Sequence, residues 1–466
     1  MDAARFVTAA EPFRSAAVTK QPIQPILFQK VRDTMLEKRE DVRGRALLVG
    51  LNCPGLAGFD NSDTETMDEL DELVQTAGGI PVLRAMQNRH TPDPHTFIGE
   101  GKCEELAELI QTHEINLVIF DNEISPSQGR ALEDALKCRV IDRNALILDI
   151  FADRAKTSEG KLQVELAQYQ YLLPRLTGMW THLVRQTAAG GSSPIGTRGP
   201  GETQLETDRR HIRRKIQKLQ EEIEDVKRIR AVQRSKRQKS EVPLVCIVGY
   251  TNAGKSTLLN SLTGAGVHAN NRLFDTLDPT TKTLTTKEVG DVLISDTVGF
   301  IRKLPHHLVD AFRATLEELV YADILVHVVD CSNENWPLHA EVVDQLIEEL
   351  GAGETPRIMV FNKADLVPEI RLPRQTDAMY CSALKGIGLD ALVQRICGIL
   401  SEKMHHVNFI LPYSAAGMLD QLYRDANVKK AEYLAEGIEV EAICDAKLYG
   451  RLKPYLPAEE TDGEEY

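Results

Sequence analysis

GYTNAGKSTL, residues 249–258, is the stretch that leaves this chain the least freedom. It has the form Gly-x-x-x-x-Gly-Lys-Ser, in which backbone N–H groups wrap an anionic phosphate at contact distance. Glycines permit that approach because no Cβ stands in the way. The pattern puts Lys255 at the β- and γ-phosphates and the Ser256 hydroxyl on Mg²⁺. Its flanks agree. VPLVCIVG (242–249), bounded by Pro243 and Gly249, reads as a buried strand. KSTLLNSLTG (255–264) reads as a helix closed by a glycine, with its N-terminus facing the phosphates. The plainer reading, a glycine turn between strand and helix, would not require this spacing.

The phosphate loop does not choose between ATP and GTP. Asn362-Lys363-Ala364-Asp365 does, since it follows the apolar strand PRIMVF (356–361) and so sits where α/β sheets bind ligands. A carboxylate there accepts from both N1–H and the exocyclic amine of guanine, a donor pair adenine lacks, and a site built this way rejects the analogue strongly. CSALKG (381–386) comes next, with Ser382 shaping the loop and the N–H near Ala383 meeting the base carbonyl. ISDTVGF places Asp296 in the Mg²⁺ shell and the Gly299 N–H at the γ-phosphate, the basis of an order–disorder switch. LFDTLDPTTKT is the candidate first switch, with Thr276 as second hydroxyl on Mg²⁺; Thr280, Thr281 and Thr283 compete for that role on composition alone. Five elements in this order predict a GTPase. Phe300 stands where Ras-like enzymes carry a water-orienting glutamine, which predicts slow intrinsic hydrolysis completed by a partner. Asn252 raises a second device, a potassium ion at the phosphates in place of an arginine finger.

At 466 residues the chain has room for about three domains. No apolar run approaches the ~18 residues a membrane helix needs, and the start lacks a basic segment followed by an apolar core. Eight scattered cysteines, with no Cys-x-x-Cys, point to reduced thiols and a cytoplasmic protein. A net charge of −14 excludes a surface that coats nucleic acid everywhere. One basic run exists: residues 209–239 hold thirteen Lys/Arg against four Asp/Glu, and either a solvated face or a phosphate-binding face follows from it.

Residues 45–158 alternate strands (RALLVGLN, GIPVLRAM, INLVIFD, CRVID) with amphipathic helices, which predicts a parallel α/β domain. GEGKCEEL (99–106) within it lacks the phosphate-loop spacing, so a second nucleotide site competes there with a turn opening a helix. Residues 159–240 carry two helical patterns. Leu162, Leu166, Tyr169 and Leu173 share one face, and Ile212, Ile216, Leu219, Ile223 and Val226 form a seam. Between them, VRQTAAGGSSPIGTRGPGETQLE (184–206) has five glycines, two prolines and, before Glu202, only the charges of Arg185 and Arg198. A helical hairpin with a glycine-rich tip follows, and that tip is either a linker or a probe for an RNA-lined cavity. The GTPase domain spans 241–402, a small α+β unit of β-α-β-β pattern spans 403–457, and acidic residues 458–466 form a tail, as residues 1–44 form an N-terminal extension.

On these motifs, and on GKLQVELAQYQYLLPRLTGMW and GTRGPGETQLETDRR, the chain resembles the HflX family of ribosome-associated GTPases from about residue 45 to 456. The resemblance implies a Ras-like P-loop domain and binding to the large ribosomal subunit and its rRNA through Arg185, Arg198, Arg209, Arg210, Arg213 and Arg214. It implies splitting of stalled or idle ribosomes in the GTP state, often under stress, and release on hydrolysis. It carries GTP or GDP binding onto Gly249, Tyr250, Thr251, Asn252, Ala253, Gly254, Lys255 and Ser256, onto Phe274, Asp275, Thr276, Leu277 and Asp278, onto Asp296, Thr297, Val298 and Gly299, onto Asn362, Lys363, Ala364 and Asp365, and onto Ser382, Ala383 and Leu384. Mg²⁺ falls to Ser256 and Thr276, and catalysis to Lys255, Thr276 and Gly299. A monomer off the ribosome is expected. An assembly or storage factor would need the same switch and basic patch, whereas an ATP-driven RNA remodeller using the N-terminal domain would need the 99–106 loop and not Lys255.

Overall fold

The computed structural model describes residues 44–54, 61–187, 200–240, 242–266, 273–304, 316, 318–368, 372–373, 377–402 and 404–456. Residues 1–43, the tip at 188–199 with Arg198, and the acidic tail lie outside the described residues, as does the side chain of Arg185.

The first sheet is parallel, in the order β2-β1-β3-β4, from β1 (Arg45–Asn52), β2 (Ile80–Asn88), β3 (Leu117–Phe120) and β4 (Arg139–Asp142). A near-continuous apolar run is what a strand covered on both faces requires, and β1 is buried from residue 46 to 51. Helices α1 (Thr64–Thr76), α2 (Glu100–Thr112) and α3 (Pro126–Leu136) cover it. Asp63 and Ser125 open α1 and α3 with reciprocal capping boxes, which satisfy N–H groups that have no partner inside the helix. A further helix, α4 (Arg143–Arg154), was not flagged by the sequence pattern. It follows β4 with no loop, because the Asp142 carboxylate accepts the Ala145 N–H at 2.9 Å and turns the chain into a helix at once.

The long helices are α5 (Ser158–Thr187) and α6 (Pro200–Ser240). Leu166 and Tyr169 of one and Ile212, Leu219 and Ile223 of the other are buried. Glu165 pairs with Lys215 at 3.1 Å and Glu159 with Arg230 at 2.7 Å, an order that makes the helices antiparallel. No helix among the described residues is long and apolar enough to cross a membrane.

Six strands build the second sheet: β5 (Leu244–Gly249), β6 (Thr280–Thr286), β7 (Gly290–Asp296), β8 (Ile324–Asp330), β9 (Arg357–Asn362) and β10 (Met379–Tyr380). Their order is β10-β9-β8-β5-β7-β6, with β6 antiparallel to β7 and the other pairs parallel. Helices α7 (Lys255–Thr263), α8 (Trp336–Glu349) and α9 (Leu389–Glu402) flank it. The fold is mixed α/β with a P-loop GTPase sheet. At the C-terminal end, β11 (Met404–Leu411), α10 (Gly417–Asp425), β12 (Asn427–Leu434) and β13 (Gly437–Asp445) give an antiparallel sheet in the order β11-β13-β12, and one more helix, α11 (Ala446–Leu452), follows.

The first two sheets share a hydrophobic core. Leu48, Met67 and Phe151 belong to the same buried cluster as Val164 of α5 and Val248, Tyr250, Phe274 and Phe300. A buried ionic network crosses it. The Arg143 guanidinium donates to Asp121 at 2.8 Å, to Glu69 at 2.7 Å and to the Thr66 and Arg302 carbonyls at 3.2 Å each. The Tyr250 hydroxyl donates to Glu69 and accepts the Arg302 N–H at 2.8 Å. Arg302 reaches Asp63 at 3.0 Å and Glu65 at 3.1 Å, and Lys303 donates to Asp121 and to Ser62. Removing one member of a buried ion cluster leaves its partner charged and dry, so Arg143→Met should lower stability by about 3–5 kcal/mol. The exposed pair between Arg84 and Asp68 is the control: Arg84→Met should change stability by no more than about 1 kcal/mol in the same urea titration.

Candidate nucleotide site

The site lies where β5 ends and α7 begins, at the carboxyl edge of the second sheet. Between strand and helix the loop turns through Asn252 (φ 61°) and Gly254 (φ 96°). At Gly254 only glycine fits, because a Cβ would stand 2.2 Å from Asn362 Nδ2. That contact is functional geometry: Asn362 Nδ2 donates to the Ala253 carbonyl at 2.8 Å, and its Oδ1 accepts the Ala383 N–H at 3.0 Å. One side chain therefore joins the phosphate loop to both base-recognition segments.

Together these segments line a cavity of about 310 Å³. Thr251, Asn252, Gly254, Lys255 and Ser256 form one wall, Phe274, Asp275, Thr276 and Gly299 a second, and Asn362, Lys363, Asp365, Ser382, Ala383 and Leu384 a third. Thr257 and Leu366 also line it and were missed, Thr257 because a helix residue after the motif carries no separate signal. Lys255 is buried, and its ammonium donates to the Tyr250 carbonyl at 2.7 Å. Burial pushes its pKa down to about 8, against the pull of Asp296. The Ser256 and Thr276 hydroxyl oxygens lie 2.7 Å apart, and both bond to Asp296 Oδ2. Asp296 is fully buried and its Oδ1 has no hydrogen-bond partner among the described residues. Two hydroxyls around a dry carboxylate are hard oxygen donors of the kind Mg²⁺ takes. Thr280, Thr281 and Thr283, the competing threonines, lie on β6, where Thr281 bonds to Ser295 instead.

At the base end, the Ser382 hydroxyl and the Lys385 ammonium hold the Asp365 carboxyl below its ordinary range, and Lys385 lies 3.0 Å away. Lys363 pairs with Asp330 at 2.6 Å. Ala364 donates its N–H to the Cys381 carbonyl at 3.1 Å, which fixes the loop without touching the cavity.

Several residues named from the motifs do not line the cavity. Gly249 ends β5, and the Tyr250 ring is stacked on His339 of α8 at 3.9 Å with its hydroxyl on Glu69 of α1. Ala253 contributes its carbonyl to Asn362. Thr297 donates to the Ile247 carbonyl at 2.7 Å, and Val298 and Leu277 are buried in the shared core. The Asp278 carboxylate is bonded to residues 156 and 157 rather than aimed at a nucleotide. Phe300 is buried too, its backbone bridging to Tyr250, so its ring is core.

Comparison with known proteins accords with this geometry. Family models match residues 64–152 (GTP-binding GTPase N-terminal), 154–237 (GTP-binding GTPase Middle Region) and 244–363 (50S ribosome-binding GTPase). A GTPase HflX from Caldanaerobacter subterraneus subsp. tengcongensis is 43% identical over 439 residues, 94% of this chain and 99% of that protein. The chain belongs to the HflX family of GTPases. The Escherichia coli GTPase HflX is 44% identical over 382 residues, 81% of this chain and 88% of that one. A crystal structure of a GTP-binding protein from Sulfolobus solfataricus in complex with GDP is 24% identical, with a TM-score of 0.39, over 77% of this chain and 99% of that one. As an HflX-family GTPase the chain binds guanine nucleotide and hydrolyses GTP.

Two measurements check the site. Phosphates favour a protonated Lys255, whereas the free protein releases that proton near pH 8. Binding above that pH must take up a proton, so GDP affinity should fall about five-fold from pH 8 to 9, and Lys255→Arg should flatten the slope. Asp365→Asn should move preference from guanine toward xanthine, read by competition between GDP and XDP.

Proposed function

We propose that this HflX-family GTPase binds the large ribosomal subunit in its GTP state, separates stalled or idle ribosomes into subunits under stress, and leaves after hydrolysis. The observation that carries this reading is the outer face of α6. Arg210, Arg213 and Arg214 are exposed there, whereas Ile212, Leu219 and Ile223 are buried. In a chain of net charge −14, a concentrated basic face is the part fitted to RNA phosphates. Arg209 lies on the same helix, and Arg185 and Arg198 join the proposed contact on their place in the sequence alone. The description of the family model matching residues 244–363, a 50S ribosome-binding GTPase, supports the same partner.

In the reaction, Lys255 offsets charge on the β- and γ-phosphates and the Gly299 N–H reads the γ-phosphate. Ser256 and Thr276 would hold Mg²⁺, with Asp296 behind them, and the ion would supply positive charge to offset the charge that develops on the phosphates. Asn362 and Asp365 select guanine, while the backbone at Ala383 and the exposed Leu384 complete the base pocket. The buried Phe300 ring offers nothing to orient water, which supports slow intrinsic turnover completed by the ribosome.

GTP hydrolysis measured with and without purified large subunits, in potassium buffer, should rise at least about ten-fold with them, the scale on which a missing transition-state contact acts. Arg213→Ala with Arg214→Ala should leave the unstimulated rate unchanged and weaken that stimulation, with a shallower dependence on salt. Sedimentation of intact ribosomes with the protein and a non-hydrolysable GTP analogue should show separated subunits. Binding without separation would replace splitting by an assembly or storage role.

A further inference from the structure

Past Thr276 the candidate first switch leaves the cavity and meets the hairpin. Asp278 Oδ2 accepts the backbone N–H groups of Lys156, at 2.9 Å, and Thr157, at 3.0 Å, while its Oδ1 accepts the Thr157 hydroxyl. Lys156 and Thr157 are the last residues before α5, and the Thr157 hydroxyl accepts the Gly160 N–H at 3.0 Å. The first N–H groups of a helix have no partner within it, and its positive end favours a carboxylate. Here that carboxylate comes from 121 residues further along the chain. Gly160 makes room for it: a Cβ there would stand 2.6 Å from Asp278 Oδ1. The same segment is tied to α4 as well, with Asp275 3.7 Å from Arg154 and the Phe274 ring edge-on to Phe151 at 4.7 Å. Phe274, Asp275 and Thr276 line the nucleotide cavity. This short segment thus lines the nucleotide cavity through Phe274, Asp275 and Thr276 and meets the hairpin root through Asp278.

We propose that Asp278 is a positioning residue that fastens the root of the helical hairpin to the first switch, so that the bound nucleotide governs how firmly α5 begins. The inference rests on the cavity being the nucleotide site, and on no ribosomal partner. Thr276 is held while a γ-phosphate is present and released after hydrolysis, as switch segments of GTPases are. Two residues span at most about 7 Å, so displacement of Thr276 is passed to Asp278. Release of Asp278 leaves the Lys156 and Thr157 N–H groups to water and loosens the start of the helix.

The test is hydrogen exchange of the amides of residues 156–160 in the full chain, loaded with GDP or with a non-hydrolysable GTP analogue. Occupancy is checked separately with a fluorescent guanine nucleotide. Exchange should be about ten-fold slower with the analogue, the scale of one lost charge-assisted hydrogen bond. Asp278→Ala should erase the difference, and Thr157→Ser should keep it. Gly160→Ala separates coupling from mere helix stability. Alanine favours a helix over glycine, so a purely structural root would exchange more slowly in both states. A side chain that displaces Asp278 should instead abolish the nucleotide dependence. Equal exchange with the two nucleotides, or a full difference surviving in Asp278→Ala, would overturn the proposal. Failure to bind guanine nucleotide would overturn the reading of the cavity, and the proposal with it.

Discussion

A single buried guanidinium, that of Arg143, decides how the nucleotide loop is placed. Burial alone works against its charge, but Asp121 and Glu69 more than offset that and raise its pKa. The arrangement is stable only because every partner is engaged elsewhere too: Asp121 with Lys303, and Glu69 with the Tyr250 hydroxyl. Tyr250 follows the first glycine of the phosphate loop, and Arg302 and Lys303 follow Gly299 by three and four residues. The backbone that would cradle phosphate, and the backbone that would sense its loss, are both fastened to carboxylates of the first sheet and α1. The geometry of the cavity is therefore a property of two sheets. Buried ionic clusters often contribute little net stability against a hydrophobic substitute, and their better-attested role is to specify one arrangement. That suits a loop whose register must not drift.

The first-switch segment and the stretch that follows Gly299 look outward in different directions. Residues 274–278 face α4 and the root of α5, whereas residues 302–303 face Ser62, Asp63, Glu65 and Asp121. A guanine nucleotide enters a cavity bounded by both. Few GTPase-domain side chains need to move for a change at the phosphates to be felt in the rest of the chain, because the contacts are already made.

What could be read from the sequence was what depends on short spacing. Gly254, Lys255, Ser256, Thr276, Gly299, Asn362 and Asp365 converge on one cavity, as their motifs require. The strands of the first sheet were legible because parallel strands are apolar throughout. Helix α4 was not, since RNALILDIFADR has apolar residues on most of its circumference and directly follows a strand, so neither period stands out. Asp278 was assigned to nucleotide because it sits among residues that do line the cavity. Its real partners, Lys156 and Thr157, are far away in sequence, and nothing in a linear pattern announces them. Tyr250 misled for the same reason: its backbone belongs to the loop and its ring to another layer.

The shared core also has a consequence for synthesis. Residues 46 to 155 contribute one part of a continuous apolar cluster, and residues 164 to 352 contribute the rest. With translation at about 5–20 residues per second, the first part waits roughly 10–40 s for the last of the second to be made. During that interval Met67, Ile147 and Phe151, all buried in the finished molecule, lack the part of their cluster that the second sheet supplies. A nascent chain of this design has reason to recruit a chaperone before its nucleotide loop exists, and its first sheet cannot reach its final packing until translation has passed residue 352.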